Sequence, residues 1–565
     1  MPIQNPTFPA TSIFKKVFDR IKELGTLADD DIDFDSKTPN DVIITKVPRV
    51  PRFDPTLGIS VTPPAQPDPP RHRLVTIGDS LTHGFQSGAI FNTGISYPAI
   101  IAHEMGWSEK FRYPSYRGLG GLPLNIEFLL RTLERKYGSN INWWELGLAA
   151  FDIRHLMGEI EDWWERGPGS NVPDLIDLNH NLAIYGWDLR DVIERTADIC
   201  SDFIQKPKDQ LFRQVVENAN ERAALRVFNF SPTVTARNSL TLLQQATQLG
   251  DEGGVQTGNE DGIETLIIFL GANNALQTIT GLKVVWSDAG YDNLQEKVKY
   301  TVWRPIHFEA ELNKLVAEVK KIKARHVIWA TVPHVTIAPL ARGVAKKIRE
   351  GSRYFPFYTR PWIQDGDFDA KDDPHLTEPQ ARAIDSAIDQ YNYCIEEVVR
   401  AARSDPANPK DWYLMDVAGM MDRLACRRYI DDPAARPTWW SKYELPPELE
   451  NLSPKAPDSN FLVADKMGVR EKGGLFSLDG VHPTTIAYGL LAQEFINIMQ
   501  KAGVKFQMGD GTTERIGPVR VDFRRLIALD TLISDPPRSI GSNLKLVGWF
   551  DEKLDFINRM FRTGR

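Results

Sequence analysis

Cysteine is nearly missing from this 565-residue chain. Cys200, Cys394 and Cys426 lie far apart and form no CxxC pair, so neither a disulfide framework nor a zinc site is expected. An excess of positive charge is missing as well. Lys and Arg number 67 against 75 Asp and Glu, a net charge of −8. That balance gives no support to nucleic-acid binding as the main task, because neutralising phosphates requires a basic face. No stretch approaches the roughly 18 apolar residues of a membrane span, and the longest candidate, Thr265 to Leu270, is strand-sized. The opening Met-Pro-Ile-Gln-Asn-Pro-Thr has neither the basic start nor the apolar core of a secretion signal, and a soluble, cytoplasmic protein is the expectation. Several catalytic and ligand-binding signatures are absent too: no G-x-S-x-G elbow, no HExxH and no Walker A loop. In Gly118-Leu-Gly-Gly121, Pro123 stands where a dinucleotide loop needs its last glycine. Asp365-Gly-Asp367-Phe-Asp369 is followed by Ala370 and Leu376 where a calcium loop needs glycine and glutamate, so it reads as a solvated turn. No cofactor and no metal are expected.

What is present is an ordinary globular composition, 42% hydrophobic and 25% charged. Residues 1–70 read as an extension. A short amphipathic helix is predicted from Ser12 to Leu24, with Ile13, Val17, Ile21 and Leu24 on one stripe. It is followed by an acidic cluster, Asp29 to Asp35, and a proline-rich linker, Pro63 to Pro70. Residues 71–502 read as the main domain. Apolar runs at Arg73 to Ile77, Leu182 to Tyr185, Thr265 to Leu270, His326 to Thr331 and Trp412 to Met415 predict buried strands. Helical patterns lie between or after them, at Glu309 to Lys323, Glu378 to Ala402 and Thr484 to Met499. Such alternation predicts an α/β fold with a parallel sheet covered on both faces, where ligands gather at the carboxyl ends of the strands. Long insertions are expected at about 108–175, 200–260, 340–375 and 430–475, carrying Trp143-Trp144, Trp163-Trp164 and Trp439-Trp440. Residues 503–565 read as a C-terminal extension with a final helix from Phe550 to Phe561.

Four blocks carry chemistry. The first strand runs into Gly78-Asp79-Ser80-Leu81-Thr82, which exposes a serine and its backbone N–H at a strand-to-helix turn. About 400 residues later stands Asp479-Gly-Val-His482-Pro483. A hydroxyl is a poor nucleophile until a neighbouring base takes its proton, and histidine suits that role. A carboxylate three residues earlier can bend back to the imidazole N–H and fix its tautomer. The third block, Gly271-Ala-Asn273-Asn274, ends the strand at Leu270, where an amide can donate to a developing oxyanion. The fourth, Tyr185-Gly186-Trp187-Asp188, ends another strand and offers the Gly186 N–H. Taken singly, each block is equally a turn or a helix cap. His83, close to Ser80, reads as a surface residue.

The four blocks in this order resemble the GDSL, or SGNH, hydrolase superfamily, named for its Ser, Gly, Asn and His positions. The resemblance spans about 71–500, though its sharp motifs amount to some twenty residues. It implies a three-layer α/β/α sandwich of flavodoxin-like type around a five-stranded parallel sheet. It also implies a serine hydrolase that cleaves carboxylic esters through an acyl-enzyme. Ser80 would be the nucleophile, His482 the base and Asp479 its orienting partner. The N–H groups of Ser80 and Gly186 and the side chain of Asn273 would form the oxyanion hole. Two departures stand out: Asn274 where the family usually has Asp, and a long separation between Ser80 and Gly186. The same site could serve an acyltransferase, and the fold alone could serve a non-catalytic binding protein. The expected partner is a small-molecule, lipid or glycan ester. The tryptophan pairs could stack on sugars or line an acyl groove, with core filling as the default.

Overall fold

In a computed structural model, residues 35–62, 69–138, 145–173, 177–207, 216–257 and 262–538 are described, with 15–17, 19, 21, 540 and 548. Most of the predicted first helix, the acidic cluster up to residue 34, residues 63–68 of the proline-rich stretch, Trp143-Trp144 and the final helix lie outside them.

Five strands form one sheet: β1 (His72–Gly78), β2 (Asn181–Ala183), β3 (Ile263–Phe269), β4 (Ala324–Ala330) and β5 (Trp412–Met415). Their order is β5-β4-β3-β1-β2, and every pairing is parallel. This is a doubly wound order, whose ligand sites form beyond the carboxyl ends of the strands where the winding reverses, between β1 and β3. β1 and β3 are buried along their whole length, as strands covered on both faces must be.

The helices include α1 (Ser80–His83), α2 (Tyr97–Glu104), α3 (Pro305–Val319), α4 (Glu378–Arg403) and α5 (Thr485–Lys501), of which α1 follows β1 directly and α5 follows the Asp479–His482 block. Proline at the first turn starts α3, and a Thr377/Gln380 capping box starts α4. Tyr97 of α2 stacks on Phe495 of α5 at 4.9 Å between ring centroids and also meets Phe269 of β3. Phe308 of α3 stacks on Tyr391 of α4 at 4.1 Å. These two helix pairs with the sheet make an α/β arrangement compatible with a three-layer sandwich.

The flanking segments pack on this body. The Ile43 N–H donates to Gln390 Oε1 of α4 at 3.3 Å, Arg49 pairs with Asp416, and the Leu414 N–H of β5 donates to Pro55 O at 2.9 Å. Residues 41–55 therefore run as a strap over α4 and the end of β5. Beyond residue 503, Asp530 Oδ2 accepts from the Ile486 N–H at the start of α5. Trp164 is fully buried and fills protein interior, and the half-buried Trp440 donates from Nε1 to Asp422 O. All three cysteines are free and buried. Among the described residues no helix is long and apolar enough to cross a membrane.

Candidate active site

Ser80 opens α1 directly beyond the carboxyl end of β1. A Cβ on Gly78 would collide with the Thr82 side chain and stand 2.9 Å from Phe269 O, so glycine is what allows the chain to turn this tightly. Asp79 caps the helix, its Oδ1 accepting from the Leu81 N–H at 3.0 Å. Gly84, in the left-handed region at φ 89°, ends it after one turn. Ser80 is thus held at a helix N-terminus, where backbone N–H groups lack intrahelical partners. Burial pushes the Asp79 carboxyl up to about 7, against the pull of the Leu81 N–H and the charge of His482.

The Asp479 to His482 loop precedes α5. His482 Nδ1 lies 2.9 Å from Asp479 Oδ2, so Nδ1–H donates to the carboxylate and Nε2 is the accepting nitrogen. Asp479 is buried and accepts three further N–H bonds, from Val481 and His482 at 2.8 Å and from Gly88 at 2.9 Å. Burial alone would raise its pKa, but the charge of His482 and these donors outweigh it, and the carboxyl is held below its ordinary value. Two further links bind this loop to the segment after α1. The Ser87 N–H donates to Ser477 Oγ at 2.8 Å, and the Phe85 ring packs on the His482 ring at 4.5 Å. The segment directly after α1 and the Asp479–His482 loop, some 390 positions apart, are thus in direct contact.

Gly186 follows β2, the strand beside β1, with φ 76°. Asn273 follows β3, the other neighbour of β1, and its Nδ2 donates to Trp187 O at 2.9 Å. One amide hydrogen thus ties the Asn273 loop to the Gly186 loop. The Gly186 loop is held from two more sides. Asn220 Nδ2 donates to Tyr185 O at 2.7 Å, and His83 Nδ1 accepts from the Tyr185 N–H at 3.2 Å. With Nδ1 accepting, the His83 proton sits on Nε2 and is donated to Tyr116 Oη at 2.7 Å, and the Tyr116 hydroxyl donates to Ala223 O. His83 is fully buried, correcting the surface reading, and burial lowers its pKa to about 3, keeping the ring neutral. Asn274 is buried as well, and among the described residues nothing hydrogen-bonds its side-chain amide.

Ser80 and His482 open on one cavity of about 90 Å³ on the β3–β4–β5 side of the sheet's carboxyl edge. Of the predicted residues, the structure sets Ser80 and His482 on one cavity with Asp479 bonded to His482, and sets Gly186 and Asn273 on loops joined to each other. A hydroxyl and an imidazole on one cavity, the imidazole oriented by a carboxylate, can activate the hydroxyl as a nucleophile. Amide donors at neighbouring strand ends can receive negative charge on a carbonyl oxygen. The sequence pattern does not point to His83, Tyr116, Asn220 or Phe85 as part of the site. Only His83 carries a signal, since it stands three residues after Ser80 and so shares its side of a helical turn. Among the described residues no group of three His, Cys, Asp or Glu could hold a metal. No protein-family model matches the chain, and neither a curated protein nor a solved structure matches it.

Proposed function

We propose that the chain is a serine hydrolase of the GDSL/SGNH type that cleaves carboxylic esters through an acyl-enzyme. The observation that carries this reading is the convergence of Ser80 and His482 on one cavity, with His482 Nδ1 2.9 Å from Asp479. The five-stranded parallel sheet supports it, because three of the four blocks follow the carboxyl ends of β1, β2 and β3, where doubly wound sheets hold ligands.

Ser80 Oγ attacks the ester carbonyl carbon while His482 Nε2 takes its proton, and the carbonyl electron pair moves onto oxygen. The N–H groups of Ser80 and Gly186 and the second amide hydrogen of Asn273 receive that oxyanion. The tetrahedral carbon then expels the alkoxide, which takes the proton from His482. Water repeats the sequence on the acyl-enzyme, releasing the acid and restoring Ser80. Asp479 stays ionised throughout and stabilises the imidazolium. Base assistance of this kind contributes about 10²–10⁴ in rate, and one oxyanion donor about 10²–10³.

The test is hydrolysis of p-nitrophenyl butyrate together with labelling by a fluorophosphonate probe. Wild type is expected to show both, and Ser80→Ala to lose both. Labelling or turnover that survives in Ser80→Ala removes Ser80 from the mechanism.

A further inference from the structure

For an ester hydrolase, the reading on which this inference rests, the cavity beside Ser80 bears directly on the choice of substrate. Its walls come from five separate stretches of chain, among them Leu276 after β3, Ala338 after β4, Met420, Met421 and Leu424 after β5, and Leu491 on α5. Among the described residues, the only ionisable side chain on it beyond Ser80 and His482 is His334. Both ring nitrogens of His334 face partners outside the cavity, Nε2 on Asp389 at 2.9 Å and Nδ1 between Arg428 Nη1 at 3.3 Å and Asp422 at 3.5 Å. A sugar or an acidic group entering here would surrender its bonds to water and find few in return.

We propose that this cavity receives the aliphatic acyl chain of the ester, and that it favours chains of about four to six carbons over acetyl. Size sets the upper bound. A dry apolar cavity of about 150 Å³ encloses one benzene, and this cavity, at about 90 Å³, is smaller. Methionines 420 and 421 on its wall have unbranched, adaptable side chains that can yield to one or two extra methylenes. The assignment to the acyl side follows from the order of steps. The alcohol leaves and water enters at the same place, and a chamber with apolar walls stays dry. The part of the substrate that remains bound through both steps is the acyl group. Each methylene moved from water into the cavity adds a factor of about four to kcat/KM.

Two series of esters on the full-length chain test this: p-nitrophenyl esters from acetate to laurate, and acetates of alcohols of rising length. The expected result is a rise in kcat/KM of about tenfold or more from acetate to butyrate, a maximum at butyrate or hexanoate, and a decline by laurate. Length on the alcohol side is expected to change kcat/KM by less than about threefold. Ala338→Leu, which narrows the cavity, lowers the hexanoate-to-acetate ratio. Met421→Ala, which widens it, moves the maximum to longer chains and serves if the first variant fails to fold. A preference for acetate, or a dependence on alcohol length in place of acyl length, overturns the inference while leaving the hydrolase reading intact. An absence of both hydrolysis and Ser80-dependent labelling overturns the two together.

Discussion

Gly78 carries more of the site than its size implies. With no side chain it lets β1 turn into α1 beside Phe269 O and Thr82, and the turn is what aims Ser80. Gly78→Ala is expected to cost about 1–3 kcal/mol through overpacking and to reduce fluorophosphonate labelling of Ser80. A urea-melt midpoint equal to that of wild type would show that the neighbours yield freely. Ser80, Asp479 and His482 are legible in the sequence for a local reason. Each stands in a short motif whose geometry is set by adjacent residues, such as the Asp-x-x-His spacing that closes at 2.9 Å. His83 misleads for the opposite reason. Its partners, Tyr116 and the Tyr185 N–H, come from chain 33 and 102 positions away, and no local pattern announces them.

Among the elements, the strands are legible because a strand buried on both faces must be a continuous apolar run. The apolar runs match β5 at its observed bounds, and β1, β3 and β4 within a residue or two at each end. For β2 the run lies too late in the chain. It continues to Tyr185, but the Trp187 N–H donates to Ile184 O and closes a turn around Gly186, so the strand ends at Ala183. That turn is the element on which the proposed oxyanion site depends, and His83 grips it from α1. His83→Ala is expected to lower kcat by about tenfold to a hundredfold, with KM within about twofold. His83→Asn, which restores an acceptor near the Nδ1 position, recovers part of that loss in a steady-state assay. Equal loss in both variants, or a change confined to KM, would deny His83 this positioning role.

Across the whole molecule the charges buried behind the cavity set how stability varies with pH. His334 faces Asp389, Asp385 and Asp422, and Arg428 pairs with Asp385 at 2.6 Å. Burial by itself would lower the His334 pKa, but the three carboxylates raise it from 6.5 to about 9. A group raised on folding stabilises fully below its unfolded pKa, and the contribution is lost as pH climbs through the folded value. The melting temperature is therefore expected to fall between pH 6.5 and 9, and His334→Gln to flatten that slope while lowering the melting temperature at pH 6.5. A wild-type melting temperature that stays level across this window would show that His334 does not hold its proton there. None of this cluster is legible in the sequence, because His334, Asp385 and Asp389 of α4, and the helical segment holding Asp422 and Arg428 come from three parts of the chain that only the fold brings together. The same holds for the strap at 41–55, which reads only as part of an N-terminal extension while its Arg49 reaches Asp416. The stitching of residues 85–88 to residues 477–482 also sets when the proposed site can be assembled. A ribosome threads out Ser80 early and must synthesise most of the polypeptide before His482 emerges. A nascent or prematurely terminated product ending before residue 477 therefore carries Ser80 without its proposed base, and is expected to resist fluorophosphonate labelling.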